Sequence, residues 1–212
     1  MRPLRRTPSR LHPPTTSLSW PWRAPRSLSG LTRGPRAAVL FAILALSFAP
    51  QPLAAADVNH AKANMLWNIA KFVEWPGLAP DPNTPLVVTI LGEDDLAVDL
   101  AGVLSSKLVN GRPVFVRFAR RAQDAKGSQI LYVAATEVPR MAEALAAVER
   151  LPVLTVSDAP GFATHGGMLG FTQTGEKVRF EVNLAHAEKS GLKLSAKLLA
   201  LARLVSDLPG TP

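Results

Sequence analysis

Outside the N-terminal leader, three histidines and a handful of carboxylates have the widest chemical repertoire, and their spacing limits what they can do together. His60, His165 and His186 are far apart and fit no zinc-ligand spacing, so a metal site would need them to converge with carboxylates in space. Solvated positions account for all three: ahead of a helix, in a glycine loop and near a helix start. Glu93, Asp94, Asp95 and Asp99 cluster at the carboxyl end of a predicted strand, the edge where open α/β sheets place ligands. Capping of the following helix is the simpler reading. Glu74 is a lone acid beside Trp75, and acid–base catalysis needs a positioned partner that no motif supplies. The chain has no Gly-x-Ser-x-Gly elbow, and Ser105-Ser106 and Ser157-Asp158 read as helix-end and strand-end residues. The glycine-rich segment Gly161–Met168 lacks the Lys-Ser/Thr ending of a phosphate loop and precedes a strand, which gives Gly166 and Gly167 a conformational role. With no cysteine, thiolate metal sites, thiol nucleophiles and disulfides are excluded. No catalytic residue, metal site or cofactor site is assigned.

The charge is unevenly placed. The net +8 comes from eight arginines before residue 37, whereas residues 57–212 carry 16 basic and 16 acidic side chains. The basic signal belongs to a leader and gives no reason to expect a nucleic-acid partner. The apolar run Ala37–Ala49 falls below the ~20 residues of a membrane span and matches a signal-peptide core, with an uncleaved anchor as the competing reading. Leu53-Ala54-Ala55-Ala56 then offers small residues for cleavage after Ala56. The expected organisation is a signal peptide with a long basic, disordered leader over residues 1–56 and one periplasmic domain over 57–212.

The elements of that domain follow from periodicity. Leu66, Ile69, Ala70 and Val73, widened by Met65 and Phe72, make an amphipathic helix that cannot pass Trp75, because Pro76 follows. Leu86–Leu91 reads as a strand covered on both faces, and Asp94 or Asp95 caps a helix containing Leu96, Leu100, Val103 and Leu104. Asn110-Gly111 turns the chain into a strand over Pro113–Phe118. Gln129–Ala134 and Pro152–Ser157 are further strands separated by a helix over Glu137–Arg150. Met168–Thr172 and Val178–Asn183 form a hairpin, Leu184 begins a short helix ending at Gly191, and Ser195 caps a final helix with Leu198, Leu201, Ala202 and Val205 inward. This pattern predicts one compact α/β domain: a mixed sheet of about six strands, helices on both faces, and a C-terminal hairpin and helix. Short strand edges leave room for a homodimer.

Four segments in this order resemble the YfiR family of periplasmic regulators: Ala70–Pro76 (AKFVEWP), Val153–Asp158 (VLTVSD), Gly166-Gly167-Met168 with Val178–Asn183 (VRFEVN), and Gly191–Leu199 (GLKLSAKLL). The resemblance implies a non-catalytic protein that binds the periplasmic sensor region of an inner-membrane diguanylate cyclase and holds it inactive, lowering cyclic-di-GMP and restraining biofilm formation. It also implies an outer-membrane lipoprotein as a sequestering partner. Some relatives respond to redox state through cysteine pairs, a route closed to this chain. Similar domains are fused to signalling proteins, so a periplasmic small-molecule sensor is the alternative. Partner contacts are assigned beside the matching segments: Arg179 and Glu181 as a charged pair on the hairpin, Phe171 as an apolar anchor, and Glu74 with Trp75 as a second rim. Core packing and cross-strand pairing compete for each.

Overall fold

Apolar, β-branched runs become the interior of the sheet in the computed structural model, which describes residues 53–79, 81–175 and 177–208. Leu86–Leu91 (β2), Ile130–Val133 (β5) and Leu154–Ser157 (β6) are almost wholly buried, as strands covered on both faces require. β2 lies between β5 and Arg112–Ala119 (β4), and β6 continues to Leu169–Thr174 (β7), so these five strands run parallel in the order β4-β2-β5-β6-β7. Lys177–Val182 (β8) adds antiparallel to β7, with Phe171 opposite Phe180. Two-residue strands finish the edges: Leu108–Val109 (β3) antiparallel to β4, and Arg203–Leu204 (β10) parallel to β8. Among the described residues the sheet therefore has eight strands, against the six expected. A separate ladder pairs Val73–Glu74 (β1) with Lys193–Leu194 (β9).

Helices cover both faces. Leu53–Ala70 (α1) and Asp95–Ser105 (α2) bury Leu66, Ile69, Leu96, Leu100 and Leu104 against Val88, Ile90, Tyr132 and Val156. Met141–Ala146 (α3) and the short 3-10 turn Ala122–Ala125 cover Leu131, Val133 and Val153 on the opposite face, where Phe162 also packs. Asp94 caps α2 as predicted, accepting from the Ala97 N–H at 2.7 Å. Asn110 and Gly111 both take positive φ, the backbone of a tight primed turn, and thereby join β3 to β4.

Three elements depart from expectation. α1 ends at Ala70, not near Trp75, because Val73–Glu74 gives its backbone to β9 and the Phe72 carbonyl accepts from the Ser195 N–H. Phe72, expected on the apolar stripe, is consequently exposed. The predicted helix over 137–150 is a 3-10 turn, Ala135–Arg140, which contains Pro139, followed by the six residues of α3. The final helix is a single turn, Ala196–Leu199 (α5), capped by Ser195, after which the chain leaves to pair with the outer edge of β8. Leu201 is then 77% exposed, not inward. The basic leader and the run Ala37–Ala49 lie outside the described residues, and the bond after Ala56 lies within α1. No helix among the described residues is long and apolar enough to cross a membrane.

Leu100 is fully buried between α2 and the sheet. Leu100→Ala is expected to lower stability by about 2–5 kcal/mol in chemical denaturation, through lost burial and the cavity left behind.

Candidate functional site

The carboxyl ends of the central strands meet where the strand order reverses: the chain leaves β2 for β4 on one side and then crosses to β5 on the other. Asp94, just beyond β2, accepts from the backbone N–H groups of Ala97 at 2.7 Å and Ala135 at 2.9 Å. It also accepts from the Tyr132 hydroxyl at 3.0 Å. Asp158, just beyond β6, lies 3.2 Å from the same hydroxyl and 3.1 Å from Lys62 Nζ on α1. One phenolic proton thus stands between two carboxylates, and it can serve only one at a time. Lys62, 8% exposed, compensates the second. Burial, then the charges of Asp158 and Asp94, push the Tyr132 hydroxyl well above the ordinary range. The phenol is therefore a fixed donor and cannot act as a base near neutrality. The four side chains tie α1, β5, β6 and the start of α2 together.

A second feature is a largely apolar groove of about 750 Å³ lined by Leu145 and Val148 from the α3 region, by Thr155 and Met168, and by His165 and His186. The two histidines, read from sequence as separate, share this groove. His186, on Leu184–Lys189 (α4), places Nε2 2.8 Å from Asp207, which also accepts from Asn183 Nδ2 at 2.8 Å. His165 Nδ1 is 2.7 Å from the Gly161 carbonyl. Thr155 Oγ1 accepts from the Met168 N–H at 3.0 Å. The groove has mainly apolar walls, with two imidazoles and the Glu149 carboxylate among its lining. Gly166 takes a positive φ of 91°, the conformational role expected of the segment, whereas Gly167 is needed for space, since a Cβ there would run into the Phe162 ring. His60 lies apart with Asp99 and Lys107 at a smaller pocket of about 340 Å³. Among the described residues no three His, Asp or Glu side chains are grouped to hold a metal.

The residues assigned to a partner separate into two sets. Glu74 and Arg179 are exposed. Trp75 is a core anchor whose Nε1–H donates to the Gln129 carbonyl at 2.8 Å, and Phe171 is buried against the α1 side of the sheet. Glu181 is 8% exposed and pairs with Arg203 at 3.2 Å, not with Arg179, because β10 occupies the edge beside it. Trp75, Phe171 and Glu181 thus offer no free surface. Of the acidic cluster, Asp94 joins the polar network, while Glu93 and Asp95 are exposed. Sequence reasoning missed Lys62, Tyr132 and Asp158. A signal existed for each: Lys62 stands one turn before Leu66 on the apolar stripe, and Tyr132 and Asp158 interrupt or end apolar strands.

The YfiR/HmsC-like family model matches residues 59–203, which spans both the network and the groove. The chain belongs to the YfiR/HmsC-like family. This is a family of periplasmic regulators, and the match covers every described strand except the final residue of β10. A crystal structure of a conserved domain protein from Vibrio cholerae O1 biovar El Tor is similar at a TM-score of 0.50 and 11% identity, over 70% of this chain. At that identity the likeness concerns the fold alone, and the chain spans about 60% of that protein's length. No curated protein matches the chain significantly. Within this YfiR/HmsC-like domain, Tyr132 is the only tyrosine of the whole sequence. A phenol held above its unfolded value contributes stability that is fully present below about pH 10 and is lost as pH rises beyond it. Phenolate absorbance on alkaline titration is accordingly expected to appear only together with loss of the circular-dichroism signal. Tyr132→Phe should flatten that alkaline decline while costing roughly 1–3 kcal/mol at neutral pH.

Proposed function

We propose that this protein is a non-catalytic periplasmic regulator that binds the sensor region of an inner-membrane diguanylate cyclase and holds the enzyme inactive, lowering cyclic-di-GMP. The family match over residues 59–203 carries the reading. The geometry supports it: Asp94, Tyr132, Asp158 and Lys62 at the sheet's carboxyl edge are bonded to one another. Repression requires differential binding, and moving a two-state sensor from 99:1 to 1:99 needs about 10⁴-fold preference for the inactive arrangement. Glu74 and Arg179 supply exposed charge for such a contact, and an outer-membrane lipoprotein that sequesters the regulator fits the same scheme. Deletion of the gene is expected to raise cyclic-di-GMP, and the purified protein should retain the periplasmic region of a co-encoded cyclase. Glu74→Lys should weaken that retention by roughly tenfold at unchanged melting temperature, as rim charges at interfaces do. Unchanged cyclic-di-GMP together with no retention would end the proposal.

The groove favours a second reading, a periplasmic small-molecule sensor. Its volume, about 750 Å³, falls in the range of ligand pockets and its walls are mainly apolar. A metabolite present at a hundred times its dissociation constant would stabilise the protein by about 2.7 kcal/mol, a shift visible in thermal denaturation. Leu145→Trp, which fills the groove, should abolish that shift; a shift surviving the substitution would place the ligand elsewhere.

A further inference from the structure

A glycine in the second half of α2 has no task inside the domain. Gly166 is needed for its positive φ and Gly167 for space, but Gly102 is needed for neither: its φ is not positive, it is exposed, and a Cβ built on it would meet nothing within 4 Å. Glycine in a helix interior lowers helical stability relative to alanine, through the backbone freedom it loses on folding. The domain is therefore less stable with this residue than with almost any other at the same place. What the missing side chain leaves open is close access to the helix backbone.

Gly102 lines the pocket of about 340 Å³ between α1 and α2, with His60 and Asn64 on the α1 side. Asp99 and Val103 share its face of α2 at three- and four-residue spacing, and Lys107 stands just past the helix end. Neither charge is used internally. Among the described residues Asp99 forms no ion pair, and Lys107 has no carboxylate partner, its Nζ standing 4.8 Å from the centre of the Trp67 ring. Val98, one turn before Gly102, is 70% exposed and adds apolar area beside the cleft. The cleft thus has an acidic end, a basic end roughly two turns away, and a middle stripped of side chain.

Resting on the regulatory reading, we infer that the cleft between α1 and α2 is the docking site for a helix of the cyclase's periplasmic sensor region, laid along the cleft with one of its side chains over Gly102. A helix is the occupant that fits. Its side-chain ridge seats in the groove between two other helices, and the glycine lets it approach closely. An extended peptide would gain no ladder, because α1 and α2 bond their main-chain groups internally. Charge then sets the direction: a basic residue of the incoming helix lies at Asp99 and an acidic one, roughly two turns along, at Lys107. The reversed helix would bring like charges together and is rejected.

The decisive substitution stabilises the fold while it blocks the cleft. With open space around position 102, Gly102→Leu should raise the melting temperature by about 2–3 °C through helix propensity alone. The same variant should bind the purified periplasmic region of the co-encoded cyclase at least tenfold more weakly than the unmodified protein does. Gly102→Ala should give a similar rise with a smaller loss of binding, and Asp99→Lys a roughly tenfold loss at nearly unchanged melting temperature. Opposite movements of stability and binding exclude misfolding as the cause. Equal binding by the unmodified protein and Gly102→Leu would overturn the docking site and leave the regulatory reading standing, whereas an unmodified protein that binds no cyclase region would end both. Binding lost only together with a change of the protein's own mass in sedimentation equilibrium would give the cleft to a second copy, and would likewise overturn the site.

Discussion

Two carboxylates sharing one buried phenol, with a single lysine to balance the charge, set the constraint on which the rest of this molecule depends. Asp94 and Asp158 come from turns after different strands, and Tyr132 comes from the strand between them. Lys62 belongs to α1, 96 residues from its partner. Removing any one member leaves a buried charge or a buried hydroxyl without its partner, a cost far above that of an exposed ion pair. The network therefore fixes where α1 and α2 sit on the sheet. The apolar contacts of Leu66, Leu96 and Leu100 supply most of the burial but tolerate sliding more readily than directional hydrogen bonds do.

This use of polar groups also shapes the functional reading. The carboxyl edge at a strand-order reversal is where open α/β sheets commonly hold ligands. In this domain the same edge is filled by Asp94, Tyr132 and Asp158 bonded to one another. Open apolar surface lies elsewhere, in the groove beside His165 and His186 and at Phe115 and Phe118 of β4.

Local signals in the chain were strong wherever a residue acts on its neighbours. β2, β5 and β6 were readable as apolar runs, Asp94 as a cap, Asn110-Gly111 as a tight turn and the β7–β8 hairpin from its alternation. Reading failed where a distant segment competed for the same backbone. α1 lost its last turn to the β1–β9 ladder, and the terminal helix lost all but one turn to pairing with β8. Of the side chains assigned to a partner, Glu181 is buried for a related reason. Alternation placed Arg179 and Glu181 on one strand face, but the arrival of β10 buried Glu181 and gave it Arg203.

The sequence by itself determined the α/β class, most strand positions, the caps and turns, and membership of a periplasmic regulator family. Each of these rests on residues within a few positions of one another or on the linear order of short segments. Tertiary structure alone decided that Lys62, Asp94, Tyr132 and Asp158 form one network, that His165 and His186 line one groove, and that Trp75 and Phe171 are core. Those outcomes depend on which strands become neighbours. That choice comes from summed burial and backbone pairing across the whole sheet, which no local spacing encodes.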